Sequence, residues 1–242
     1  MSRHYSTPLG MCAAYFDQFK IVSLVALTNS SMMMILAVVV GLLLFRGTKL
    51  IPNRWQSIME SIYSHFHGVV KENLGAEGLK YFPFIISLFT FIVFLNVLGL
   101  FPYVFTPTVH IVVTLGLSFS IVIGVTLGGL WKFKWNFLSI LMPDGAPLGL
   151  APLLVVIETV SYVSRAISLG VRLAANLSAG HLLFAILAGF GFNMLIAGTF
   201  LSLFPLLIMV FITLLEMAVA VIQAYVFCLL TTIYLGDTVA LH

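Results

Sequence analysis

PLLVVIETVSYVSRAISLGVRLAANLSAGHLLFAILAGF, residues 152–190, decides the architecture. No proline interrupts it after Pro152, and the whole stretch is compatible with one continuous helix. At about 1.5 Å per residue such a helix is much longer than a hydrocarbon core ~30 Å thick, so it must tilt steeply or bend. Residues 205–235 carry the same excess, and the glycine-rich residues 189–198 between the two predict a hairpin turn.

Toward the N-terminus, residues 24–45 read as a first span, closed by a basic connection through Arg46, Lys49 and Arg54. From 55 to 73 the apolar positions Trp55, Ile58, Met59, Ile62, Phe66, Val69 and Val70 recur at helical spacing among polar residues, which predicts an amphipathic helix on the membrane surface. Further spans are expected at 81–101, stopped by Pro102, and at 109–130. Residues 131–151 combine aromatic anchors, Lys132, Lys134 and the turn residues Pro143, Asp144, Gly145 and Pro147, the composition of a surface connection. The fold class expected is an all-α polytopic membrane protein, one membrane domain over 1–242 with about five transmembrane helices and one surface helix.

Composition agrees: 61% of residues are hydrophobic and 8% charged, and mean hydropathy is +1.15. That leaves little room for a soluble domain. A net charge of +3 is too small to argue for nucleic acid, and the basic residues serve better as topology markers. Seven of the 11 Lys and Arg (Arg46, Lys49, Arg54, Lys71, Lys80, Lys132 and Lys134) fall on connections that five alternating spans place on one side, which makes that side the inner one. Cys12 and Cys228 suggest neither a disulfide framework nor a metal motif. No signal-peptide layout opens the chain, so the first apolar run is expected to be a retained helix. No P-loop, nucleophile elbow or HExxH is present, which argues against a membrane enzyme and against direct nucleotide binding.

The informative residues are the ionisable ones that hydropathy places at bilayer depth: Glu158, Arg165, Arg172, His181 and Glu216. A charge there costs several kcal/mol, so its usual home is a protein interface or a wet cavity. Glu158, Arg165 and Arg172 are spaced by seven and share one helix face, and an internal structural ion pair between Glu158 and Arg165 is open beside a functional role. Arg172 has no acid three or four positions away, so its partner must come from elsewhere. Small residues from Ser164 to Gly180 crowd the same helix and suit close approach, either of another helix of this chain or of a partner that brings a carboxylate. His181, nine positions after Arg172, points to nearly the opposite face. On the last helix Glu216 and Gln223 share a face; Glu216 is either neutral or in water, and Gln223 suits a helix–helix hydrogen bond. His65 and His67 on the surface helix read as solvated, and His110 as a channel-mouth or interface residue. A stand-alone secondary transporter with an intramembrane charged site is the alternative, weakened by the lack of an internal repeat.

SLGVRLAANLSAGHLL (168–183) closely resembles the signature of subunit a of F-type ATP synthases, and LEMAVAVIQAYVFCLLTTIYL (215–235) is similar to that family's final helix. FLNVLGLFPYVFTPT (94–108), DGAPLGLAPLLVVIE (144–158) and FDQFKIV (16–22) carry weaker similarity in the same order. The resemblance implies a proton-conducting stator whose long hairpin lies against a rotating c-ring, each ring subunit bearing a mid-membrane carboxylate. It implies that Arg172 is the essential charge at the ring interface, separating two offset half-channels, with Gln223 beside it. Asn176, His181 and Glu216 match positions of the half-channel open to the outer side; Glu158 and Ser168 match the exit half-channel, and Arg165 a companion arginine. His181 remains open as a metal ligand or an orderer of water. The implied partners are the c-ring, peripheral-stalk and other membrane-sector subunits, with no cofactor beyond transported protons, and the implied location is the mitochondrial inner membrane, crossed several times. Ala166 departs from the Pro of many animal relatives, with no expected change of mechanism.

Overall fold

The computed structural model describes residues 20–24, 27–44, 46, 50–101, 104–134, 147, 149–198, 200 and 203–239. Lys49, Pro102, most of the 131–151 connection, Cys12 and the first residues of the FDQFKIV stretch lie outside them. Among the described residues the fold is all-α apart from a two-residue antiparallel ladder, β1 (Ser23–Leu24) with β2 (Leu27–Thr28). Helices follow at α1 (Asn29–Leu44), α2 (Arg54–Leu74), α3 (Phe82–Gly99), α4 (Ile111–Phe133), α5 (Ala151–Ile196) and α6 (Leu203–Val239). Short 3-10 turns at Glu77–Tyr81 and Pro107–Val109 lead into α3 and α4. Among the described residues four helices are long and apolar enough to cross a membrane: Glu77–Gly99, Ile111–Lys132, Ala151–Ile196 and Leu203–Thr238. The fifth apolar helix, α1, has 16 residues.

Local chemistry explains where α1 begins. The Thr28 hydroxyl accepts from Ser31 N at 3.3 Å while Ser31 Oγ accepts from Thr28 N at 3.1 Å, a reciprocal cap that starts the helix at Asn29 rather than at residue 24. At the far end of the chain, α5 runs through Gly189 and Gly191 without a break, and the chain reverses near Gly198, at φ 67°. The helix keeps its backbone hydrogen bonds through both glycines, each of which costs a helix only roughly 1 kcal/mol, and apolar residues on either side continue the helical run, so the turn is not spread over 189–198. Only the last glycine takes the left-handed conformation.

The surface helix α2 divides along its length. Trp55 and Ile58 are exposed, while Phe66, Val70 and Leu74 are buried in the core shared with α3 and α6. His65, still exposed, is not simply solvated: its Nε2 lies 3.2 Å from the Tyr225 hydroxyl on α6. His67 meets the Phe82 ring edge-on. The core itself is a stripe of Leu169, Leu173 and Leu177 at four-residue spacing on α5, set with Ile85 and Ile92 of α3 and Phe227 and Cys228 of α6. Asn96, fully buried, donates to the Ala220 carbonyl at 3.2 Å and accepts from Thr108 at 3.0 Å, so its burial leaves no amide group idle.

Candidate functional site

The small residues of α5 split into two faces. Ala166, Gly170 and Ala174 are buried within this chain: the Ser118 hydroxyl of α4 donates to the Ala166 carbonyl, and a Cβ on Gly170 would stand 3.0 Å from the Leu115 backbone. Ordinary packing uses that half of the stripe. Ser164, Ser168, Ala175 and Ala179 stay exposed, and Arg172 stands exposed among them. Its Nη2 donates to Ser168 Oγ at 3.5 Å, and among the described residues it forms no ion pair.

One turn beyond, Asn176 Nδ2 donates to Gln223 Oε1 of α6 at 3.0 Å. Gln223 is buried, which places its amide at the seam of the two long helices next to the outward face that carries Arg172. His181 turns inward. Its Nδ1 lies 3.8 Å from Glu216 Oε1, and both side chains are largely buried. Gly180 makes the approach possible, because a Cβ there would come within 2.8 Å of that same Oε1. Among the described residues Glu216 Oε1 is buried with no hydrogen-bond partner, and His181 Nε2 lies 3.3 Å from the Thr106 hydroxyl.

Toward the other end of the helices Arg165 pairs with Asp237 of α6 at 3.8 Å, its guanidinium 5.9 Å from the Tyr234 ring centre. It does not pair with Glu158, which stays half-buried on α5. Seven residues rise about 10.5 Å along a helix, more than these two side chains close easily, whereas Asp237 is delivered directly by helix packing.

The family model described as ATP synthase A chain matches residues 28–236, a span holding every group just described except Asp237. The chain belongs to the ATP synthase A chain family. It is 79% identical to the ATP synthase subunit a of Metridium senile over 232 residues, covering 96% of this chain and 100% of that relative. Against the ATP synthase subunit a of Marchantia polymorpha identity is 44% over 252 aligned positions, covering 96% and 100%. Against that of Mycosarcoma maydis it is 46% over 246, covering 93% and 96%.

In this member of the ATP synthase A chain family the polar groups at depth thus form an outward cluster (Arg172, Ser168, and Asn176 with Gln223) and an inward one (His181, Glu216, Thr106). They have different chemistry. Arginine stays protonated at any accessible pH and acts only as a fixed charge, whereas carboxyl and imidazole groups exchange protons. Within the ATP synthase A chain match, Thr106 is the residue that helical periodicity does not single out; it lies in the quoted FLNVLGLFPYVFTPT stretch, but in a segment with no repeat to mark it. Among the described residues no set of three His, Cys, Asp or Glu side chains converges as a metal cage, and His181 meets one carboxylate, that of Glu216.

Proposed function

We propose that the chain is the proton-conducting stator subunit in the membrane sector of a rotary F-type ATP synthase, in the mitochondrial inner membrane. Arg172 is the observation that carries the reading: a permanent cation at bilayer depth, exposed on the outer face of α5 among small residues, with no acid of its own fold beside it among the described residues. An unpaired charge in that position calls for a carboxylate from another polypeptide. A c-ring that carries one carboxylate per subunit supplies it.

Rotation then follows from differential charge. A neutral ring carboxyl tolerates lipid and an ionised one does not, so each ring site must be protonated before it leaves the interface and deprotonated to meet Arg172. The outer half-channel delivers protons through Glu216, His181 and Asn176, and the exit half-channel runs by Glu158, Ser168 and Arg165. Arg172, with Gln223 beside it, prevents a direct short circuit between them. The membrane potential biases this exchange by about 2.3 kcal/mol per charge per 100 mV. ATP chemistry belongs to partner subunits, and the peripheral stalk holds the stator against the ring.

The test is Arg172→Ala in the assembled complex. Proton-driven ATP synthesis should vanish while the c-ring still co-purifies; full retained synthesis would overturn the reading. Substrate uptake by the purified chain alone in vesicles would instead establish a stand-alone transporter.

A further inference from the structure

Thr106 sits in the short segment between α3 and α4, 5% exposed, and its hydroxyl meets two groups. It donates to the Gly99 carbonyl at 3.0 Å and lies 3.3 Å from His181 Nε2. A hydroxyl has a single proton, and a carbonyl oxygen only accepts. The Thr106 proton is therefore committed to Gly99, and the oxygen presents a lone pair to the imidazole. His181 Nε2 must carry hydrogen to fill that contact. In the neutral ring the lone pair is then left on Nδ1, the nitrogen 3.8 Å from Glu216 Oε1.

We propose that Thr106 is a positioning residue that sets the tautomer of His181, so that a proton passes directly between Glu216 Oε1 and His181 Nδ1. The inference rests on the reading of these two residues as part of the outer half-channel. In the step itself the Glu216 O–H bond breaks as the Nδ1–H bond forms, leaving a carboxylate and an imidazolium; the reverse step restores the neutral pair. No ring flip is needed. The 3.8 Å separation must close by roughly 1 Å for transfer, and Glu216 Oε1, buried without a hydrogen-bond partner among the described residues, has no competing bond there to give up.

Two glycines clear the space. A Cβ on Gly99 would overlap the Thr106 hydroxyl and methyl, and one on Gly180 would crowd Glu216 Oε1. Each end of the Thr106, His181, Glu216 chain is thus admitted by a residue without a side chain. Glu216 is the titratable group of α6 that meets His181; the segment that carries Thr106 also holds His110, stacked on Phe105 at 5.3 Å, its Nε2 buried and without a hydrogen-bond partner among the described residues. On α5 itself the nearest permanent charge is Arg172, nine residues earlier on the exposed face.

Nitrogen-15 spectroscopy of the assembled complex labelled at histidine reads the tautomer directly, with the His181 signal assigned by its loss in His181→Gln. Neutral His181 should be protonated at Nε2; protonation at Nδ1 overturns the proposal in the unaltered protein, whatever any variant does. Thr106→Val should shift the signal toward Nδ1–H, lower proton flux by about tenfold or more and change the flux–pH profile. Thr106→Ser should restore all three. Flux and pH profile equal to the parent complex in Thr106→Val would overturn it as well. Glu216→Gln, measured in parallel, separates the two levels: if it leaves flux unchanged, the half-channel reading itself fails; if it slows flux while Thr106→Val does not, only the role of Thr106 is lost.

Discussion

Asn176 Nδ2 and Gln223 Oε1, 47 positions apart in the chain, stand 3.0 Å from each other and tie the two long helices together beside Arg172. A side-chain hydrogen bond between membrane helices contributes on average about 0.6 kcal/mol and at most about 1.7. Gln223→Leu removes the acceptor and leaves the Asn176 amide unpaired, so the detergent-purified complex should lose roughly 1 kcal/mol of stability. Gln223→Glu keeps an acceptor and should lose less. Thermal denaturation of both variants checks the order.

The fixed charge at Arg172 makes a second prediction, on leak rather than synthesis. Arg172→Gln retains hydrogen-bond donors toward Ser168 but no charge. If the guanidinium is the barrier between the half-channels, passive proton leak across reconstituted vesicles should rise in this variant while coupled synthesis is lost. A leak no greater than that of the parent complex would argue against the barrier.

Glu216→Gln preserves shape and removes the exchangeable acid. Because Glu216 Oε1 makes no hydrogen bond among the described residues, the substitution should leave assembly close to normal. Loss of a general acid–base group typically slows a proton transfer by about 10² to 10⁴. Proton flux should therefore fall far more than the yield of complex, measured on the same preparation.

Gly170 and Gly180 lie on one helix, yet their substitutions should separate stability from transport. A Cβ on Gly170 meets the Leu115 Cα and the Thr114 carbonyl at 3.0 Å, backbone atoms that cannot swing away. Gly170→Val should destabilise the α4–α5 pair by about 1–3 kcal/mol. At Gly180 the obstacle is the end of a flexible side chain, the Glu216 carboxylate at 2.8 Å, so Gly180→Ala should disturb flux with a smaller loss of thermal stability.

Asp237→Asn tests the Arg165 contact. Both partners are substantially exposed, 41% and 59%, at 3.8 Å, and such pairs contribute about 0–1 kcal/mol. The thermal midpoint should move little.

Much of the architecture was legible because lipid imposes a simple rule on sequence: a backbone in hydrocarbon must satisfy itself, so long apolar runs become helices. The alternation of Glu216 and Gln223 on one face, or of Arg172 and His181 on opposite faces, follows from helical geometry alone. The boundaries were less legible. Thr28 and Ser31 start α1 later than hydropathy suggests, through side-chain caps that an apolarity average smooths over. Gly189 and Gly191 read as turn residues, but the helix keeps its hydrogen bonds through them.

Residue order by itself determined that this chain is a bundle of membrane helices with an arginine at depth that no neighbour along the helix neutralises. Tertiary structure alone decided the pairings: Arg165 with Asp237, Asn176 with Gln223, His181 with Glu216 and Thr106. The reason is physical. Periodicity specifies the direction in which a side chain leaves its own helix, whereas the group it meets depends on the packing of helices far apart in sequence, set by close contacts such as those at Gly170 and Gly180.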